Sequence, residues 1–229
     1  MDDLCWVCSY PRSGNRLLSE IIHLIVSEKG KFRETVPDFH QTGLNQSSKF
    51  CKIHRLYEQL PFKDCRIIYL LRNPLDILIS SINYIENFQK KPCHPGFIKE
   101  FIEKKGHIHE WSDFGSYSEH IHSFLLNPKV SSENLVIIQY ENLISNKIVE
   151  IKNISKFLNS NLTSKKAEWI ADQTCFRKLK SKEPDNVLLH WGKSDNDHLY
   201  IENCHKSEIT SLYKQLINRI NNFRKIDLI

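Results

Sequence analysis

One short segment carries the residue types that bind a phosphate group: Tyr10-Pro11-Arg12-Ser13-Gly14-Asn15-Arg16. Arg12 offers a permanently charged fork of hydrogen-bond donors, Ser13 a hydroxyl, and Gly14 room for close approach. The segment lacks the G-x-x-x-x-G-K-[ST] pattern with which Walker-type NTPases hold a triphosphate and Mg²⁺. It therefore predicts a phosphate cradle of another kind, the alternative being an ordinary Pro/Ser/Gly turn.

A second pair of polar residues follows further along the chain. Arg72 comes directly after an apolar run, and Ser80 lies just over two helical turns later, on a helix that Asn73 and Pro74 are suited to begin. The strand end and the helix face could together approach one phosphate. Taken singly, Arg72 could be a surface charge, and Ser80 could bond its own helix backbone.

These residues need a scaffold, and the apolar patterns predict one. Continuous apolar runs predict buried strands, and helical periodicity predicts helices between them. Such alternation indicates an α/β fold, a three-layer sandwich with a central parallel β-sheet flanked by helices, similar to P-loop NTPases. The predicted strands are Leu4–Cys8, Phe50–Ile53, Arg66–Leu71 and Leu135–Gln139; the predicted helices are Gly14–Glu28, Pro74–Phe88, Phe114–Leu126, Ile148–Leu158, Thr163–Asp172 and Ser207–Phe223.

The composition suits one domain spanning residues 1–229, since 40% of the residues are hydrophobic and 10% aromatic. A formal net charge of +5 fits a polyanionic small molecule and is too small to indicate nucleic acid. The N-terminus does not resemble a signal peptide and no apolar run is long enough to span a bilayer, so we expect a cytoplasmic protein without membrane contact. The oligomeric state stays open.

The cysteines do not form a disulfide-like pattern. There are seven, an odd number, and Cys5 and Cys8 lie three apart on a predicted strand. Residues at that spacing point to opposite faces, so we expect buried reduced thiols here, with no metal or redox role.

The order of these motifs resembles the sulfotransferase family, from Leu4 to about residue 180. The first segment is similar to the family's 5′-phosphosulfate loop, and Arg72 with Ser80 matches an Arg and a Ser eight positions apart that bind a 3′-phosphate. Lys52-Ile53-His54, with Leu60-Pro61 after it, resembles the family's Lys-x-His element. The resemblance implies that His54 is the catalytic base and that Lys52 lies near the sulfuryl group.

The family also implies residues for the nucleoside. Tyr140 stands in a Tyr-Glu-Asn-Leu element and would approach adenine, while Thr174 and Phe176 resemble a Thr-Ser-Phe element with the same role; core packing and a helix C-cap are equally good interpretations. The chain departs from the family in three places. Arg16 replaces Thr and would add a phosphate contact or alter donor geometry, Leu17 replaces Trp, and the closing loop over the 3′-phosphate is reduced to Gly192, with Lys193 as a substitute charge.

The resemblance implies 3′-phosphoadenosine-5′-phosphosulfate (PAPS) as donor and 3′-phosphoadenosine-5′-phosphate (PAP) as product. We expect no metal, because the leaving group carries less charge than a triphosphate and the sequence offers no Walker B aspartate. The acceptor would be a hydroxyl or amine of a small molecule or carbohydrate. Two segments without periodicity, Gly30–Ser48 and Gln89–Ser112, could wall its crevice. A catalytically silent relative that only binds the nucleotide is one alternative, and an ATP-dependent P-loop kinase is another.

Overall fold

A parallel β-sheet forms the centre of the computed structural model, which describes residues 4–27, 49–181, 201–226 and 228. Its strands within that part of the chain are β1 (Cys5–Ser9), β2 (Phe50–Ile53), β3 (Arg66–Leu71) and β4 (Leu135–Gln139), in the order β2-β1-β3-β4. Every neighbouring pair is parallel. The carboxyl ends of all the strands therefore lie along one edge, where open α/β sheets bind their ligands.

Helices cover both faces of the sheet. One face packs on α1, α6 and α7, and the other on α2, α4 and α9, each through a buried apolar cluster. None of the described helices is both long and apolar enough to cross a membrane. The α-helices in the described residues are α1 (Asn15–Val26), α2 (Pro74–Asn83), α3 (Phe97–Glu103), α4 (Tyr117–Leu125), α5 (Tyr140–Ser145), α6 (Lys147–Phe157), α7 (Ser164–Gln173), α8 (Phe176–Ser181) and α9 (Asn203–Arg224).

The predicted α/β sandwich with a central parallel sheet is confirmed. The strands Arg66–Leu71 and Leu135–Gln139 have the predicted bounds. The predicted cysteine geometry is confirmed as well: Cys5 belongs to the apolar cluster on one face and Cys8 to that on the other, and both thiols are free. Burial raises the pKa of the Cys5 thiol to about 12, so it stays protonated.

One segment differs from its interpretation as a loop. Gln89–Ser112, which shows no periodicity in the sequence, contains α3, whose Phe97 and Phe101 are buried. The predicted helix Pro74–Phe88 is helical throughout, as an α-helix to Asn83 and as a π-helix over Tyr84–Phe88. The other unpatterned segment, Gly30–Ser48, lies outside the described residues.

Candidate functional site

The predicted phosphate loop is a tight turn between β1 and α1. The N–H of Ser13 donates to the carbonyl of Tyr10 at 3.3 Å, and Arg12, after Pro11, has a φ of +66°. This is the pattern of a type II turn, which usually has glycine at that third position. Gly14 has a φ of +102° and precedes the first residue of α1, so the helix N-terminus opens directly onto the loop.

Gly14 also allows a close approach by a distant element. A Cβ at this position would stand 2.5 Å from the ring of Tyr140, the first residue of α5. No side chain fits into that gap without moving the ring. The loop is thereby packed against the element that the sequence associates with adenine.

Arg12 connects the loop to the second predicted motif. Its Nε donates to Oγ of Ser80 at 3.2 Å, and its guanidinium lies 4.6 Å from the centre of the Tyr84 ring. The Arg12 pKa is lowered to about 10, mainly by burial; Tyr84 opposes this shift and the positive charge of Arg72 adds to it. Arg12 is still a cation at neutral pH, so two buried or half-buried cations share this end of the sheet.

Arg72 lies directly against the same loop. Its Nη1 donates to the carbonyl oxygen of Arg12 at 2.8 Å, and its guanidinium stacks 4.3 Å from the centre of the Tyr140 ring. Tyr117 on α4 donates its hydroxyl to the Arg72 carbonyl at 2.7 Å. The two arginines, 60 positions apart, therefore face one place.

The start of α2 holds Arg72 and Ser80 in this relation. Asn73 caps the helix, accepting from the N–H of Leu75 at 2.9 Å, and Pro74 follows at the first helical position. The neighbouring Ser81 bonds its own helix at Ile77, whereas Ser80 accepts from Arg12. The alternative considered for Ser80, a hydroxyl bonded to its own helix backbone, therefore describes Ser81.

Several buried polar atoms at this point have no protein partner within the described residues. They are Oγ of Ser13, both side-chain polar atoms of Asn15, and Nε of Arg72. Buried polar groups are nearly always hydrogen-bonded, so unpaired ones grouped beside cations indicate a place for an anion. The residues present therefore fit the phosphate groups of a nucleotide.

His54 lies at the end of β2, next to the start of the loop. Its Nδ1 is 2.7 Å from the carbonyl oxygen of Ser9, the last residue of β1. A carbonyl only accepts, so Nδ1 carries the hydrogen and Nε2 is the basic nitrogen of the neutral ring. Lys52, half-buried, lies two positions earlier on the same side of β2.

Aromatic side chains surround this end of the site, and the sequence motifs do not include them. Phe114 lies 5.8 Å from the His54 ring, and Tyr84 stacks on Phe88 at 5.0 Å between centres. Tyr84 and Phe88 belong to the π-helix, a structure often found at functional sites. Their signal in the sequence was an aromatic pair four residues apart, which is equally common in ordinary helices.

A cavity of about 460 Å³ adjoins Arg72 and contains the predicted nucleoside residues. Lys147, which no motif singled out, donates to the carbonyl of Thr174 at 2.9 Å, and burial lowers its pKa. Arg16 is exposed beside Glu20, and Gly192 and Lys193 lie outside the described residues. The cavity is lined by Leu17, Arg72, Asp76, Tyr140, Glu141, Ile144, Lys147, Thr174 and Phe176.

Fold and site together define a class: an α/β protein with a parallel sheet, whose adjoining strand ends bring together two arginines and unpaired buried polar atoms suited to phosphate groups. Comparison with known proteins refines it. The sulfotransferase domain model matches residues 2–222. The chain therefore belongs to the sulfotransferase domain family, which confirms the predicted resemblance.

Individual relatives agree with this assignment. The chain is 26% identical to mouse sulfotransferase 6B1 over 197 residues, covering 78% of this chain and 62% of the relative. It is 28% identical to human sulfotransferase 1E1 over 209 residues, covering 81% and 68%. The matched region thus spans about two thirds of the length of these relatives.

Solved structures show the same fold. Mouse sulfotransferase SULT7A1 complexed with PAP superposes with a TM-score of 0.73 at 22% identity, covering 98% of this chain and 86% of that one. Retinol dehydratase in complex with androsterone and the inactive cofactor PAP superposes with a TM-score of 0.68 at 16% identity, covering 93% and 80%. At these identities the similarity establishes the fold.

Proposed function

We propose that this protein is a PAPS-dependent sulfotransferase acting on a hydroxyl or amine of a small-molecule or carbohydrate acceptor. The observation that carries the proposal is the convergence of Arg12 and Arg72, joined through the Arg12 carbonyl and flanked by Ser80. ATP has no 3′-phosphate, so a second anion site beside the phosphate loop favours an adenosine bisphosphate. The PAP-bound structures that share the fold support the same ligand.

In this proposal each part of the site holds one part of the donor. The 5′-phosphosulfate is held by the loop residues Arg12, Ser13, Gly14 and Asn15. The 3′-phosphate is held by Arg72 and Ser80. The cavity beside Arg72 holds the nucleoside. The adenine ring would lie among Tyr140, Thr174 and Phe176. Further candidate contacts to PAPS are Arg16, Gly192 and Lys193.

His54 would act as general base. Its Nε2 takes the proton of the acceptor, whose oxygen or nitrogen forms a bond to sulfur while the bond from sulfur to the 5′-phosphate oxygen breaks. The electron pair of that bond stays on the phosphate oxygen, giving PAP, the sulfated acceptor and a proton on His54. General base catalysis of this kind contributes on the order of 10²–10⁴-fold to rate.

Arg12 would stabilise the charge that grows on the leaving phosphate oxygen. An arginine keeps its proton, so it acts through charge and hydrogen bonds and not as a general acid. The N-terminus of α1 and the N–H groups after Ser13 add to the same field. Lys52 lies two positions before His54, on the same side of the strand. Its positive charge would offset negative charge on the sulfuryl oxygens during transfer.

The test is sulfuryl transfer from a radiolabelled donor across a chemically diverse acceptor panel, with PAP binding measured by calorimetry. We expect transfer by the wild-type protein, and His54→Ala to lose turnover by about 10²-fold or more while binding PAP normally. His122→Ala is the matched control. It also removes an imidazole, but that ring contacts Arg219, away from the proposed site. Comparable turnover in His54→Ala would remove His54 as the base.

Two other results would overturn the proposal itself. PAP binding without transfer to any acceptor would identify a catalytically silent nucleotide-binding protein. Preferential thermal stabilisation by ATP and Mg²⁺ over PAP would identify an ATP-dependent phosphotransferase.

A further inference from the structure

A second histidine, which no sequence motif included, is buried beneath the proposed base. His120 lies on α4 with 0% of its surface exposed. The rings of Tyr10, Tyr69 and Phe124 pack around it with centres 5.2 to 5.8 Å away. Burial lowers its pKa to about 3, so the ring is neutral at physiological pH.

The hydrogen bonds of His120 have only one consistent direction. Nε2 lies 3.0 Å from the carbonyl oxygen of His54, and Nδ1 lies 2.8 Å from the hydroxyl of Tyr69. A carbonyl has no hydrogen to give, so Nε2 must donate and Nδ1 must accept. The Tyr69 hydroxyl supplies that hydrogen, and burial raises its pKa, which keeps it protonated. The His54 carbonyl therefore fixes the tautomer of His120, and Tyr69 completes the arrangement by donating to Nδ1.

His54 is thus held at two points by different elements. Ser9 at the end of β1 accepts from its ring, and His120 on α4 donates to its backbone carbonyl. The first contact sets which ring nitrogen is basic. The second sets where the backbone that carries the ring lies, just past Ile53, the last residue of β2.

We propose that His120, oriented by Tyr69, is a positioning residue that holds the backbone of His54 so that its basic nitrogen meets the acceptor. The proposal rests on the proposed role of His54. A displacement of about 1 Å at a reacting group lowers rates by about 10²-fold, so loss of this anchor should lower kcat. Donor binding, which uses Arg12 and Arg72, should be little affected.

The experiment compares two substitutions at His120. His120→Leu fills the space but donates no hydrogen bond, whereas the amide of His120→Gln reaches the place of Nε2 and donates again. We expect kcat to fall about 10- to 100-fold in His120→Leu and to recover largely in His120→Gln. KM for the donor and the Kd for PAP should stay within about twofold in both. His122→Leu, two residues away on the same helix, should leave kcat unchanged.

A readout independent of turnover is the nitrogen NMR spectrum of the His54 ring. We expect the form with hydrogen on Nδ1 in the wild-type protein and in His120→Gln. In His120→Leu we expect a mixture of both tautomers, because a shifted His54 backbone would weaken the contact of its ring with Ser9. Tyr69→Phe, which removes one hydroxyl, should shift the spectrum and kcat in the same direction.

The outcomes separate this inference from the proposed function. An unchanged kcat and an unchanged His54 spectrum in His120→Leu would overturn the positioning role, as would equal kcat in His120→Leu and His120→Gln. If the wild-type protein transfers no sulfuryl group, the proposed function fails, and the spectra alone then decide whether His120 orients His54.

Discussion

Arg12 has a backbone conformation that non-glycine residues rarely adopt. Its φ of +66° lies in the left-handed region, which costs an ordinary side chain about 1–2 kcal/mol. Glycine at this position of the turn would avoid that cost. The chain instead has a guanidinium there, held against Ser80 and Tyr84, and strain of this kind concentrates at functional sites.

We predict that Arg12→Gly is more stable than Arg12→Ala by about 1 kcal/mol, although both lose the same guanidinium. The reason is that only glycine adopts this backbone conformation without strain. Both variants should lose most PAP affinity and turnover. Urea unfolding monitored by circular dichroism measures the difference in stability.

Arg16 provides the matched control, because it lies four positions away within α1. There the backbone is helical, so Arg16→Gly should be less stable than Arg16→Ala, by up to about 1 kcal/mol. The same order of stability at both positions would contradict the strain assigned to Arg12.

At the scale of elements, the end of β3 and the start of α2 form one unit that carries the proposed 3′-phosphate contacts, Arg72 and Ser80. Asn73 caps α2 through Leu75, and its own N–H donates to Glu141 at 2.9 Å. The unit is thereby tied to α5, whose first residue, Tyr140, stacks on Arg72. This arrangement places the Arg72 guanidinium between the loop that precedes α1 and the cavity proposed to hold the nucleoside.

The unit predicts selective loss of one phosphate contact. Arg72→Ala should weaken PAP binding by about 10²-fold, since a charged hydrogen bond contributes about 1.5–3 kcal/mol. Binding of adenosine 5′-phosphate should weaken much less, because it lacks the 3′-phosphate. Calorimetric titration with both nucleotides measures the ratio, and equal weakening of both would refute the assignment. Ser80→Ala should change the ratio in the same direction by a smaller factor.

Prediction from sequence succeeded where an element had a strong local signal. β3 and β4 are continuous apolar runs, and their bounds were found. α3 was missed because its seven residues are too few to show helical periodicity. The contact of Arg12 with Ser80, 68 positions away, depends on strand order, which local patterns do not contain.

His120 shows a second limit of local patterns. Apart from His54, which a motif sets apart, nothing in the sequence distinguishes His120 from the other nine histidines. Its proposed role comes from contacts with His54, just after β2, and with Tyr69 on β3. The assignment of residues 1–229 to one domain and the roles given to Gly192 and Lys193 remain predictions.

At the scale of the whole molecule, stability depends on keeping charges out of the core between the sheet and α4. His120 is buried there as a neutral ring among Tyr10, Tyr69 and Phe124. Protonating it would place a cation among aromatic rings. It would also put a hydrogen on Nδ1, which accepts from the Tyr69 hydroxyl. His120 is therefore harder to protonate in the folded state than in the unfolded chain.

This difference predicts a pH dependence of unfolding. Burial lowers the pKa of His120 from 6.5 to about 3, so the unfolded state binds more protons between those values. The stability contributed by the neutral ring is fully present above pH 6.5 and is lost as the pH falls, by at most about 1.4 kcal/mol per pH unit. Carboxylates add acid sensitivity of their own, so the measurement is a difference between two proteins. His120→Gln cannot be protonated at this position. Between about pH 5 and 6, its free energy of unfolding in urea should therefore change less steeply with pH than that of the wild-type protein, by the equivalent of about one proton. Parallel slopes in the two proteins would show that His120 is protonated in the folded state.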